Sequence, residues 1–105
     1  MWTVQLTATA AGELGDLAED QRAHFMRIRA LIQSQGLERV RHPHVKHLEG
    51  PLWEMRLKGA SGIARALYVT RRAQRVVVVR VFVKKTQKTP RREIELARQR
   101  AKEVT

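Results

Sequence analysis

Seven cations, Arg56, Lys58, Arg65, Arg80, Lys84, Lys85 and Lys88, fall along one stretch of the chain, and Glu54 is the only acid between Pro51 and Glu93. Groups of this kind bind phosphates: guanidinium forks grip two oxygens, and lysines add point charge and mobile protons. One cation on a strand is ordinarily a solvated surface residue, but an ordinary exposed face mixes signs, and this set does not. Arg65 stands out as the lone cation in the otherwise apolar run 63–69. An arginine in such a run is costly unless it faces a cavity, a partner or an anion. Its removal should open little apolar cavity, so Arg65→Ala is expected to leave the fold intact.

Other groupings carry less. His42, His44 and His47 stand close together, yet Pro43 breaks the segment and Lys46 repels cations, so they read as solvated loop histidines rather than a metal site. Gly59-Ala-Ser-Gly62 has the GxxG spacing of an RNA clamp that sits between helices; here it joins two strands and reads as a hairpin turn. There is no phosphate-binding glycine loop and no nucleophile elbow. With Glu54 isolated, hydrolysis by a carboxylate pair is disfavoured. The chain has no cysteine, which removes disulfides, thiolate zinc sites and cysteine nucleophiles and is compatible with a reducing cytoplasm.

The 105 residues (12.1 kDa) suit one domain spanning 1–105. The net charge of +11 is unevenly placed: residues 1–53 hold six basic and six acidic side chains, whereas 54–105 hold fifteen and four. A neutral half joined to a cationic half implies a polyanionic partner: nucleic acid, an acidic protein or an anionic membrane surface. The apolar run 76–79 is too short to cross a bilayer. The first cation is Arg22, so a secretory signal is not expected.

These cations must be carried by particular elements. Residues 2–9 alternate, with Trp2, Val4, Leu6 and Ala8 on one side, and predict a half-buried strand. Leu14 and Leu17 fit one helical turn between Gly12 and Asp20. A longer helix is expected over 20–35, ending at Gly36. It carries two apolar stripes: Phe25, Ile28 and Ile32, and Ala23, Met26 and Ala30. Both can be core, or one can await a partner protein. Residues 37–51 read as a loop. Alternation over 53–58, the apolar run 63–69 and the β-branched run 76–83 then predict an antiparallel meander. A last helix follows, with Thr89 as N-cap, Pro90 in its first turn, and Ile94, Ala97, Ala101 and Val104 on the buried side. The order is β-α-α-β-β-β-α, an α+β fold with a four-stranded, antiparallel-dominated sheet.

That order, Leu52-Trp-Glu-Met-Arg-Leu57, Ala64-Arg-Ala-Leu-Tyr68, and Phe82-Val-Lys-Lys-Thr-Gln-Lys-Thr-Pro90 followed by Glu93-Ile-Glu-Leu-Ala97 resemble the RelE/ParE superfamily of bacterial toxins. The phage-derived, HigB-type branch is the nearest in pattern. The resemblance runs from Trp2 to about Lys102. It implies a RelE-like fold and the toxin of a type II toxin–antitoxin system, bacterial or phage-derived, acting in the cytoplasm without a cofactor. RelE-like members cleave messenger RNA, often in the ribosomal A site; ParE-like members poison DNA gyrase. The antitoxin of the HigB-type branch is typically a helix-turn-helix protein. The implied partners are thus a cognate antitoxin, mRNA and the ribosome, with no membrane.

By matching position, Arg56, Arg65, Lys84 and Lys85 are the catalytic candidates, Arg65 being the arginine that contacts the scissile phosphate. Lys58, Arg80, Lys88 and Arg91 are candidate RNA contacts, and no metal ligand is implied. Two positions depart from the pattern. Glu54 stands where many RelE members have a basic residue, and no Tyr or His follows the last strand. The leading reading is a metal-independent endoribonuclease; a gyrase-directed toxin and a plain nucleic-acid-binding module are the alternatives.

Overall fold

The computed structural model describes residues 1–40 and 44–105. His42 of the histidine group, with Arg41 and Pro43, lies outside the described residues. The elements are β1 (Thr3–Leu6), α1 (Ala8–Gly15), α2 (Glu19–Gln35), a 3-10 turn (Leu37–Arg39), β2 (Val45–Glu49), β3 (Leu52–Gly59), β4 (Gly62–Arg71), β5 (Arg75–Val83) and α3 (Arg91–Ala101).

The first strand is shorter than its alternation suggests because Thr7 turns the chain. Its side chain accepts a hydrogen bond from the Ala10 amide (3.1 Å) and caps α1, which takes residues 8–15 out of the strand and exceeds the single turn expected. Helix α2 ends at Gly36, whose φ of +92° suits a residue with no Cβ. The buried Gln21 side chain accepts from the Ala18 amide at the start of the same helix. Helix α3 begins at Arg91, after Pro90 rather than Thr89: the Thr89 hydroxyl is turned away from the helix and donates to Glu54.

The sheet runs β1-β5-β4-β3-β2, with β1 parallel to β5 and the other pairs antiparallel. The expected meander is β3-β4-β5. The sheet has five strands, not four, because residues 45–49 pair with β3 in the register Val45↔Met55 and Lys46↔Glu54. A short, polar edge strand gives little signal, since only Val45 and Leu48 face apolar layers.

Two apolar layers cover the sheet. On one face Val4, Met55, Leu57, Ala64, Ala66, Tyr68, Val76 and Val78 pack with α1 and α2. Phe25, Ile28 and Ile32 are wholly buried there, so this stripe is core and is closed to a partner; Met26 of the other stripe is half exposed. On the opposite face Leu52, Leu67, Val69, Val77, Val79 and Phe82 pack with Ile94, Ala97 and Ala101 of α3. Val104 adds to that layer as expected.

Candidate nucleic-acid interface

Alternation fixes which side chains share the α3 face. Leu52 and Leu67 belong to that layer, so Glu54, Arg56 and Lys58 of β3 and Ile63 and Arg65 of β4 point the same way. Arg56 is directly opposite Arg65, and Lys46 of β2 is directly opposite Glu54. Helix α3 packs over the apolar end of this face, and the cations occupy the other end.

The connection from β5 to α3 supplies the remaining candidates. Val83 pairs with Ala64, and the Lys84 amide donates to the Ile63 carbonyl (2.9 Å), which brings the end of β5 to the start of β4. Lys84, Lys85, Thr86 and Gln87 then line a pocket of about 360 Å³ with Arg56 and Ile63. Farther along, Thr86 to Arg92 border a second pocket of about 830 Å³ with Lys46, His47, Glu49 and Glu54. The Lys84 ammonium reaches the Gln87 carbonyl and the Thr86 hydroxyl donates to the Lys88 carbonyl (2.6 Å), so the connection closes on itself.

Lys84 titrates below an ordinary lysine. Partial burial disfavours its charge, and Arg65, Arg56 and Lys46 push in the same direction while Glu54 opposes them. Arg65 is buried and ion-paired to Glu54, whose other oxygen accepts from Thr89 (2.5 Å). Burial lowers the pKa of Arg65, with Glu54 opposing and Arg56 adding repulsion. The anion that justifies an arginine in this strand is therefore Glu54. The pairing leaves donors over: the buried Nε atoms of Arg65 and Arg56 both lack a partner. Two unpaired guanidinium N–H groups on facing residues suit an incoming anion.

Arg56, Arg65, Lys84 and Lys85 thus lie together. Lys58 is exposed at the end of β3, and its amide donates to His24 Nδ1 (2.7 Å). Lys88 is exposed on the rim of the larger pocket. Arg80 is held elsewhere, and Arg91 borders the larger pocket with Lys88 but is ion-paired there. Arg80 binds Glu93 of α3 (2.7 Å) and Glu13 of α1, and its guanidinium lies 5.7 Å from the Phe82 ring centroid. Arg91 is tied to Glu49 and Glu95, which raise its pKa. Of the histidines, His47 contacts the Trp53 ring and His44 the His24 ring. Among the described residues no group of three acids or histidines forms a metal-binding cluster. Tyr68 is 1% exposed in the opposite layer, and burial raises its pKa, so it cannot exchange protons with this face.

Sequence reasoning did not reach Lys46 or Thr89. Lys46 falls in a stretch without strand alternation, and Thr89 carries the pattern of a helix cap.

A five-stranded mixed sheet with two helices on one face and one on the other is the RelE fold. The archaeal RelE–RelB complex from Pyrococcus horikoshii OT3 is similar over 80% of this chain and 96% of that one (TM-score 0.58, 17% identity). The intact E. coli RelBE toxin–antitoxin complex (0.54, 15%) covers 82% of this chain and 100% of its own. The isolated E. coli RelE toxin (0.54, 14%) covers 94% and 98%. No curated protein matches in sequence. The profile of the family described as Phage derived protein Gp49-like matches residues 12–102, and the chain belongs to that family.

Proposed function

We propose that this protein is the toxin of a type II toxin–antitoxin pair, of HigB type, and that it is a metal-independent endoribonuclease acting on translated mRNA at the ribosome in the cytoplasm. The observation that carries this reading is the meeting of Arg56, Lys84 and Lys85 around one pocket, beside the unpaired N–H of Arg65. The RelE proteins it resembles in fold were solved with RelB or named as toxins, which supports a protein antitoxin as partner.

RNA scission asks for three things. A base takes the 2′-hydroxyl proton, cations hold the charge that grows on the phosphoryl oxygens, and an acid protonates the leaving 5′-oxygen. A lysine whose pKa is lowered has a larger neutral fraction near pH 7, so Lys84 can accept the 2′-proton. Arg56 and Lys85 line the same pocket and are the cations available to hold the phosphoryl oxygens. Lys85, on the same pocket, is the candidate to protonate the leaving oxygen.

The direct test is cleavage of a defined message by purified protein, with translating ribosomes in magnesium buffer and without ribosomes in EDTA. Cuts between codon bases, lost in Lys84→Ala/Lys85→Ala, support the reading. An intact message together with gyrase-dependent DNA breaks would instead make it a ParE-like toxin.

A further inference from the structure

Four cations, Lys46, Arg56, Arg65 and Lys84, act on one another at one end of the sheet, and two of them, Arg65 and Arg56, have buried, unpaired nitrogens. Glu54 is the one acid among them, and it is 2% exposed. Its Oε1 accepts from Arg65 Nη1 and its Oε2 from the Thr89 hydroxyl at 2.5 Å. Arg65 belongs to β4 and Thr89 to the connection that carries Lys84, Lys85 and Lys88. That connection is fixed at its first residue by the Lys84 amide on Ile63, and α3 fixes it beyond Pro90. Its internal bonds, Lys84 to Gln87 and Thr86 to Lys88, shape it without attaching its middle to the sheet.

We propose that Glu54 and Thr89 are positioning residues: the carboxylate, shared between the Arg65 guanidinium and the Thr89 hydroxyl, ties the middle of the 84–90 connection to the strand arginine, and with it the Gln87 carbonyl that holds the Lys84 ammonium, and so sets that side chain against Arg65. The inference rests on the ribonuclease reading for its consequence, but not for its geometry. Neither residue touches the reacting atoms. Glu54 screens repulsion that would drive Lys84 away, and Thr89 holds the chain segment in register.

The test reads the titration of the Lys84 side chain by NMR and single-turnover RNA cleavage by the same protein. In Thr89→Val the hydroxyl is lost at nearly constant shape. Lys84 gains solvent, its pKa rises toward that of an ordinary lysine, and cleavage falls about tenfold, whereas Thr89→Ser keeps both at wild-type values. Glu54→Gln keeps a hydrogen bond to Thr89, the amide NH2 donating to the hydroxyl oxygen while the carbonyl faces Arg65, but removes the charge, so Lys84 titrates lower than in the wild type. An unchanged Lys84 titration in both Thr89→Val and Glu54→Gln overturns the proposal, as does a Thr89→Val protein that cleaves normally. If the wild type cleaves no RNA, the ribonuclease reading fails by itself, and the two titrations still decide whether the tether exists.

Discussion

The Arg65–Glu54 pair makes a stability prediction whose size follows from burial. Only 4% and 2% of the two side chains are exposed, so neither charge can recover solvation if its partner is removed. Breaking a buried pair costs about 3–5 kcal/mol. The two truncations are not equivalent. Glu54→Ala strands Arg65 beside Arg56 and Lys84 and also takes the acceptor from Thr89, so it falls at the upper end, about 5 kcal/mol. Arg65→Ala leaves Glu54 facing Lys46, Arg56 and Lys84 and still bonded to Thr89, so it falls at the lower end, about 3 kcal/mol. The residue types alone suggested that Arg65 could be removed without consequence for the fold; the buried pair predicts a cost, because the loss is a buried carboxylate's guanidinium partner and not a cavity. For a domain of this size those values correspond to Tm decreases of roughly 15–30 °C. The double variant Glu54→Leu/Arg65→Met replaces the pair with apolar groups beside Leu52 and Leu67 and should lie within about 1 kcal/mol of wild type or above it. Urea unfolding followed by circular dichroism, with the slope m unchanged, gives the stabilities of the wild type and the three variants. Single variants within about 1 kcal/mol of wild type would mean that the pair is solvated like a surface bridge, and the reasoning would fail.

Further outcomes follow from the other charges. Burial would raise the pKa of Glu13, but Arg100, the Val81 amide and Arg80 together lower it. Its contribution to stability is therefore full above the unfolded glutamate value of about 4.3 and is lost as pH falls through the lower folded value, so Glu13→Gln should flatten the acid limb of a pH–stability curve. Binding to single-stranded RNA through Arg56, Lys58, Lys84 and Lys85 should weaken with salt with a log–log slope of about −3, and a flat dependence would reject phosphate binding. Lys84→Glu/Lys85→Glu should weaken the antitoxin complex in a titration, since Phe25, Ile28 and Ile32 are buried and offer no alternative surface. His44→Ala and His47→Ala should leave growth inhibition unchanged in a plate assay.

What could be read from the residues alone divides along physical lines. Gly36 stops α2, and the alternation of β3 with the apolar run of β4 sets the meander, because these are local signals, expressed within a few positions. The parallel pairing of β1 with β5 joins residues about seventy positions apart and leaves no local mark. Strand β2 was hidden because an edge strand needs only two apolar contacts, and Lys46 with it. The oddity of Arg65 was legible as an unpaired cost, but its partner was not. Glu54 lies diagonally across from it, one step from the directly opposed Arg56, and that offset exists only once the register is known. The N-cap pattern at Thr89 was real in sequence, yet the helix starts one residue later, with Pro90 at its N-cap, and the Thr89 hydroxyl donates to a buried carboxylate.

The central claim is scission of translated messages by the cationic end of the sheet. Its most direct measurement maps transcript 5′ ends after brief induction of the wild type and of Lys84→Ala/Lys85→Ala. New ends inside translated codons, present for the wild type and absent for the variant, are predicted. Intact transcripts, or cuts that persist in the variant, would contradict it.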